Sequence, residues 1–531
     1  MILTNKTKNI DLNDLTILFL LIFLFKILFF FTGYILEDSF IVFRSAFNYA
    51  DYGIFSYNLD EQNTLVTSKI FGLICSFLRI VFKEYAILSI IAFNSIVSFF
   101  SSLIIILSLK KLFENQNKIF FKNDIFFLVI LIFLNPSISL IGITGLEFSI
   151  LIFFISLVLF GIIEDSKKLL FFSFFIPLIR IELIGFILIL SFIYLYFLNW
   201  KNFFLVLITG IVGVLINSYL NVIFDGSYVP SAAVSKWSTL GNLNTFTFER
   251  ILNDFYTWFF GSRSFFIGIY SKYISEIFYT FIGISVLIYV FYNFRFLILN
   301  KYKEIKDNNK IYILTISASI FFLPLAYVVS GRIFDWYLYP YSFLSYILLS
   351  IFLINNKHYL KLKNIFISFV LLITIFQFLV LKNIGFQENS YRSVIGKDIF
   401  EISLDHKKDT LFLEPSGYIP YYAKIKTYDT VGLSSQEILN FRDNKTKRWW
   451  LDFIESKNPT FILDRNNVFE GHSYDGNYDL SLTELSWFKK NYRIIKAYNY
   501  HQYVKKYAGS LEFFYLMGNH SDYYLYKKIK D

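Results

Sequence analysis

Charge and cysteine are what this chain has least of. Only 17% of its 531 residues are charged, against about 25% in an ordinary soluble domain. That excludes a chain that is soluble throughout. Cys75 is the single cysteine and lies inside an apolar run, so no internal disulfide can form and a zinc site built on cysteine pairs is excluded. The five histidines include no pair at zinc-ligand spacing. No glycine-rich phosphate loop follows a strand, no Walker-type lysine motif occurs, and there is no Gly-x-Ser-x-Gly elbow. No internal repeat of the kind found in transporters is present. The first apolar run is not followed by a small-residue cleavage site and reads as a retained helix. The formal net charge of +10 comes with no nucleic-acid module, and in a membrane protein basic residues largely set orientation.

What the chain does have is apolar bulk: 56% hydrophobic and 21% aromatic residues. The run Leu15–Tyr34 is about long enough to span a bilayer. With the polar tail before it in the cytoplasm, Glu37 and Asp38 emerge outside. The basic loop Lys110–Lys122 returns to the cytoplasm. Of the two apolar runs between, Tyr85–Leu109 spans and Leu65–Phe82 lies in the interface. Further runs alternate: Asp124–Ile143, Phe148–Ile163, Leu169–Ile179, Leu183–Leu198, Phe203–Phe224, Glu276–Leu299, Ile311–Ser330, Trp336–Ile354 and Ile365–Leu381. The expectation is a polytopic α-helical membrane protein with about eleven transmembrane helices. Its membrane module covers residues 1–382.

Residues 383–531 change character. Charges become dense, and β-rich runs (Thr410–Leu413, Lys426–Tyr428, Thr460–Leu463, Arg493–Tyr498, Tyr523–Lys528) alternate with helical ones (Ser434–Glu455, Ser481–Lys490), each helix opening on a serine that can cap it. This segment reads as a soluble extracytoplasmic α/β domain.

The stretch Glu37-Asp38-Ser39-Phe40-Ile41-Val42-Phe43-Arg44 stands out against this background. Two adjacent carboxylates sit where an apolar helix leaves the bilayer. Arg44, Asn48 and Asp51 follow at spacings of four and three, which puts them on one helical face. Acidic groups at a membrane edge are a functional-site hypothesis by default; a plain N-cap role for Asp38 is the alternative. On this topology Glu147, Arg180, Glu182, Lys236, Arg332 and Asp335 all fall at outer helix ends with Asp38 and Arg44. Snorkelling end residues would account for single members of the set.

The stretch, with Asn48, Gly53-Ile54-Phe55-Ser56-Tyr57-Asn58 and Thr67-Ser68, resembles the acidic first outer loop of the GT-C superfamily glycosyltransferases. The terminal arabinofuranosyltransferase/mannosyltransferase-like group is the subgroup it looks most like. Gly145-Leu146-Glu147, Arg180-Ile181-Glu182, Asp225-Gly226-Ser227-Tyr228-Val229-Pro230 with Lys236, Arg332 with Pro340, Gly417-Tyr418-Ile419-Pro420 and Asp429-Thr430-Val431-Gly432 resemble further motifs of that group in the same order. Departures are Glu at 37 for Asp, Ile at 181 for Pro and Ser at 231 for Asn. The resemblance covers nearly the whole chain, and shared order carries it, since each motif alone is weak.

The resemblance implies a GT-C-like fold. It also implies an inverting transfer of a hexose or pentose from a polyprenyl-phosphate donor to a glycan, lipid or protein acceptor at the outer face of a bacterial inner membrane. A sugar hydroxyl needs a carboxylate to take its proton, so Asp38, or else Glu37, is the base. Arg180, Lys236 and Arg332 would hold the phosphate's developing charge. Glu147 and Glu182 would orient arginines or the acceptor, with Arg44 and Asp335 as further substrate contacts. No cofactor is required; a divalent cation at the carboxylates is left open. A transporter or flippase of lipid-linked glycans, or a non-catalytic envelope assembly protein, remains the alternative.

Overall fold

A computed structural model describes residues 12–116, 124, 127–133, 140–230, 307–329, 337, 339–355, 359–434, 437–443, 448–473, 478–517 and 520–529. The chain divides into two compact units. The first comprises residues 1–31, 88–217 and 242–380, the second residues 32–87, 218–241 and 381–531.

The first unit is helical. Its helices Phe148–Glu164 and Ile184–Tyr196 pack against Asp307–Val329, which also meets Tyr339–Asn355. Leu and Ile dominate the buried positions, and several of the serines buried among them satisfy their hydroxyls locally. Ser156 donates to the carbonyl of Ile152 and Ser350 to that of Tyr346, the one-turn back-bond that lets a hydroxyl sit in an apolar helix.

The structure corrects the eleven-span, GT-C-like expectation. Among the described residues, two helices are long and apolar enough to cross a bilayer: Lys69–Glu114, of 46 residues, and Trp200–Asp225, of 26. For several of the others the reason is length. A hydrocarbon core needs about 20 apolar residues in one helix, and several of the expected spans are shorter or broken. Phe148–Glu164 has 17 residues and Ile184–Tyr196 has 13. The run expected at 169–179 divides into Lys167–Leu170, a 3₁₀ turn Phe171–Phe174 and Phe175–Ile179. The segment expected to lie in the interface is instead continuous, through the 3₁₀ turn Lys83–Tyr85, with the helix after it. The run at 276–299 falls outside the described residues.

The second unit is built on a sheet. β1 (Thr410–Leu413), β2 (Lys426–Asp429) and β3 (Phe461–Asp464) are parallel. β4 (His472–Ser473) and β5 (Tyr478–Asp479) form a separate two-stranded ribbon. β6 (Tyr492–Tyr498) and β7 (Tyr523–Lys528) run antiparallel, giving a five-stranded order β2-β1-β3-β7-β6. Side chains alternate across a strand, and here they feed two cores. Leu411, Leu413, Phe461 and Leu463 pack on one face with Tyr391, Ile395, Ile399 and Ile419. Phe412 and Ile462 pack on the other with Trp450, Phe453, Ile454 and Phe488. Helices thus cover both faces, as a buried parallel sheet requires. The helix Leu482–Asn491 opens on a full capping box, in which the Ser481 side chain accepts from the Glu484 N–H and Glu484 reaches back. The helix expected over 434–455 is two, Glu437–Asp443 and Trp449–Lys457.

Candidate functional site

Residues 32–87 matter because they lie with this α/β layer. The helix Glu37–Tyr52 starts on two acids, which the positive end of a helix dipole favours. It stops at Gly53, whose φ of 74° lets its N–H reach the carbonyl of Tyr49.

Glu37 is fully engaged. Its Oε1 accepts the backbone N–H groups of Gly417 and Tyr418 at 2.8 and 2.9 Å. Its Oε2 accepts from Arg392 at 2.6 Å. The same arginine nitrogen lies 3.3 Å from Glu388 Oε1. Tyr418 then donates its hydroxyl to the carbonyl of Ile35 at 2.8 Å, and its ring packs 3.9 Å from that of Phe40. Asn389 ties in the chain before the helix through the carbonyl of Gly33 at 2.9 Å.

Glu388 and Arg392 were not expected. They lie in a π-helical segment, Phe386–Arg392, that continues the helix Tyr359–Gly385. A π-helical turn is rare and is often found at functional sites. Its wider winding is a backbone property that no residue in Gln387-Glu388-Asn389 announces. Burial pushes the Glu388 carboxyl up to about 7; Arg392 opposes this, while the charges of Glu37 and Asp38 add to it. Asp38 is half-buried, one residue from the anchored Glu37. Two carboxyl groups, Glu37 and Glu388, therefore share one guanidinium, and the charge of Asp38 reaches Glu388. Carboxyl groups tuned this way can take up and pass on protons at neutral pH.

The other expected residues are distributed as follows. Arg44 is buried in the second unit, and all five of its donor hydrogens are used. It reaches the carbonyls of Tyr57, Pro420 and Ile425 at 2.9, 2.8 and 2.7 Å, and Thr427 Oγ1 and Asn58 Oδ1 at 3.3 Å each. It sews loop 53–64 to β2. Asp225 is also buried there, 2.6 Å from Lys69 Nζ, and accepts from the N–H and hydroxyl of Thr64 at 2.9 and 2.7 Å.

Glu147, Arg180 and Glu182 meet in the first unit. Arg180 contacts Glu147 at 2.7 Å and Glu182 at 2.6 Å, beside the rings of Phe148 and Tyr337. Two carboxylates on one guanidinium leave this group without surplus positive charge. Asp38 and Arg180 belong to different units. Lys236, Arg332 and Asp335 lie outside the described residues. Among the described residues no group of three His, Cys, Asp or Glu is placed to hold a metal ion.

Residues 384–526 match a family model described as a domain of unknown function, DUF8728. The match takes in Glu388, Arg392, Gly417 and most of the sheet, and it starts well after Glu37 and Asp38. No curated protein matches the chain.

Proposed function

We propose that the chain is a glycosyltransferase that moves a sugar from a polyprenyl-phosphate donor to a hydroxyl of an envelope glycan, lipid or protein. The observation that carries this reading is the carboxylate group around Arg392, with Glu388 near neutrality beside Asp38. The resemblance of residues 37–44 to the acidic loop of lipid-linked-sugar transferases supports it independently.

In this reading Glu37 is the anchor. It is held by two backbone amides and an arginine, and so fixes the backbone that presents Asp38. Asp38 takes the proton from the acceptor hydroxyl as that oxygen bonds to the anomeric carbon. The bond from that carbon to the phosphate oxygen breaks, its electron pair leaves with the phosphate, and the anomeric centre inverts. Asp38 then releases that proton to solvent, and Glu388, its carboxyl pushed up to about 7, responds to the charge on Asp38.

Membrane attachment belongs to the same proposal. The Lys69–Glu114 and Trp200–Asp225 helices have the required length, and the Lys69–Asp225 pair joins the start of one to the end of the other. Both would therefore meet the membrane from the side that carries Asp38. The acceptor would be met on the extracytoplasmic face.

The test is consumption of labelled polyprenyl-phosphate sugars by the purified full chain. Asp38→Asn is expected to lower turnover by about 10²–10⁴-fold with an unchanged melting midpoint. Full turnover by that variant overturns the assignment of the base. If no labelled donor is consumed by the unaltered chain, the reaction class is wrong.

A further inference from the structure

The far end of the Glu37–Tyr52 helix borders a different cavity. It is a cleft of about 480 Å³ whose walls include Asn48, Asp51, Arg79, Lys407, Tyr421 and Lys424. Thirteen residues of helix separate Asp38 from Asp51, roughly 20 Å at 1.5 Å per residue. The cleft is therefore distinct from the acid group.

Its charges are not all alike. Arg79 is committed to Asp51, with Nε and a terminal nitrogen 3.1 and 2.9 Å from the two carboxylate oxygens. Lys426 is committed to Asp60 and Glu61, and Arg44 has no hydrogen left to give. Lys407 and Lys424 are both exposed, and neither ammonium pairs with a carboxylate among the described residues. The backbone that carries them is held in place. The loop carrying Lys407 is closed by Asp409, which accepts from the Ser403 hydroxyl at 2.8 Å and the Leu404 N–H at 3.1 Å. His406 in that loop stacks flat on Phe400 at 4.2 Å, and the Lys424 ammonium sits 5.7 Å from the same ring.

Tyr421 supplies the third element. Its ring is pinned edge-on by Phe40 and Tyr422 at 5.1 and 5.0 Å. The Asn48 amide hydrogens are spent on the carbonyls of Ser56 and Tyr57, which leaves its oxygen as an acceptor, and the Asp51 oxygens keep lone pairs beside Arg79. The cleft thus offers two lysine ammoniums not paired with a carboxylate among the described residues, a fixed aromatic wall and several hydroxyl acceptors, in a volume within the range of small-ligand sites.

We propose that this cleft binds a saccharide carrying one anionic group, a uronate carboxylate or a sugar phosphate. The anion lies on Lys407 and Lys424, the ring lies against Tyr421, and ring hydroxyls donate to Asn48 and Asp51. This requires neither a lipid-linked donor nor turnover, so it stands or falls apart from the transfer reaction.

Titration calorimetry on the purified full chain tests it, with a glucuronate-containing disaccharide and glucose 1-phosphate as probes. Maltose is the uncharged control and inorganic phosphate the ringless one. Both charged sugars are expected to bind, and each control about tenfold or more weakly than they do. The double variant Lys407→Gln/Lys424→Gln is expected to weaken both charged sugars by about tenfold, with its melting midpoint unchanged because both side chains are exposed. Tyr421→Leu is expected to weaken the sugars and leave inorganic phosphate unaffected. Binding of maltose or inorganic phosphate as tight as that of the charged sugars overturns the proposal. So does unaltered binding by the lysine variant, or no binding of either charged sugar.

Discussion

Glu388 gives the sharpest prediction, because its environment sets both a direction and a size. A glutamate in water has its carboxyl near 4.5; burial and the nearby Glu37 and Asp38 charges push this one up to about 7, against the pull of Arg392. The folded state therefore holds a proton between those two values that the unfolded chain has already lost. Stability from this group is greatest below pH 4.5 and falls as the pH rises towards 7. Moving a carboxyl over that window withdraws about 3 kcal/mol. Glu388→Gln cannot ionise, so it removes this slope. It also loses the 3.3 Å contact with Arg392, a cost that is largest above pH 7 and works against part of the gain there. Thermal melts of the full chain at pH 5 and pH 8 read the difference. The unaltered protein is expected to lose roughly 6–12 °C more of its midpoint between the two than the variant does, from about 2–4 °C per kcal/mol for a unit of this size. Parallel curves for the two proteins would refute the reasoning, because they would mean that Glu388 ionises as freely folded as unfolded.

Three further outcomes follow from buried contacts. Arg44→Ala removes five buried hydrogen bonds that tie loop 53–64 to residues 420–427, though each carbonyl acceptor and the Asn58 oxygen keep one other donor, and is expected to cost about 2–4 kcal/mol by urea denaturation; Arg44→Lys should recover little, since one ammonium cannot reach five acceptors on different segments. Lys69→Met leaves the buried Asp225 carboxyl without its cation and should cost about 3–5 kcal/mol, whereas the double variant Lys69→Met/Asp225→Leu should regain most of it, as a double-mutant cycle would show. Gly417→Ala places a methyl against the backbone oxygen and carboxylate of Glu37. It is expected to lower turnover as far as Asp38→Asn does while also lowering the melting midpoint, which Asp38→Asn leaves alone.

The sheet was readable because its signal is local. Each of the five main strands is a short run of β-branched, aromatic or leucine residues bounded by turn-formers, and the observed elements fall on those runs within a residue or two: Thr410–Leu413, Lys426–Asp429, Phe461–Asp464, Tyr492–Tyr498 and Tyr523–Lys528. The count of membrane spans was not readable in the same way. Hydropathy sums over a run without regard to where its helix breaks, and 167–179 is apolar enough to suggest a span yet folds as three short pieces. In the candidate site, Glu37 and Asp38 were legible as acids next to an apolar run. Their partners were not: Arg392 lies 355 residues from Glu37 and Gly417 lies 380, and no periodicity spans such a separation.

That distance also changes what the acidic pair can mean. Read locally, Glu37 and Asp38 are two adjacent candidates for one base. The fold separates them by assigning Glu37 three hydrogen bonds from Arg392, Gly417 and Tyr418. A carboxylate whose two oxygens already hold three donors has little room to take a fourth from an acceptor hydroxyl. The same three bonds make it a good anchor, since they fix the first turn of the helix against two separate parts of the α/β layer. The base role then passes to Asp38 by position. Glu37→Gln should therefore act through stability and alignment, loosening Arg392 and the 417–418 turn, whereas Asp38→Asn should act on the rate alone. An enzyme in which Glu37→Gln matched Asp38→Asn in rate loss, with no change in melting midpoint, would reverse that division and make Glu37 the base.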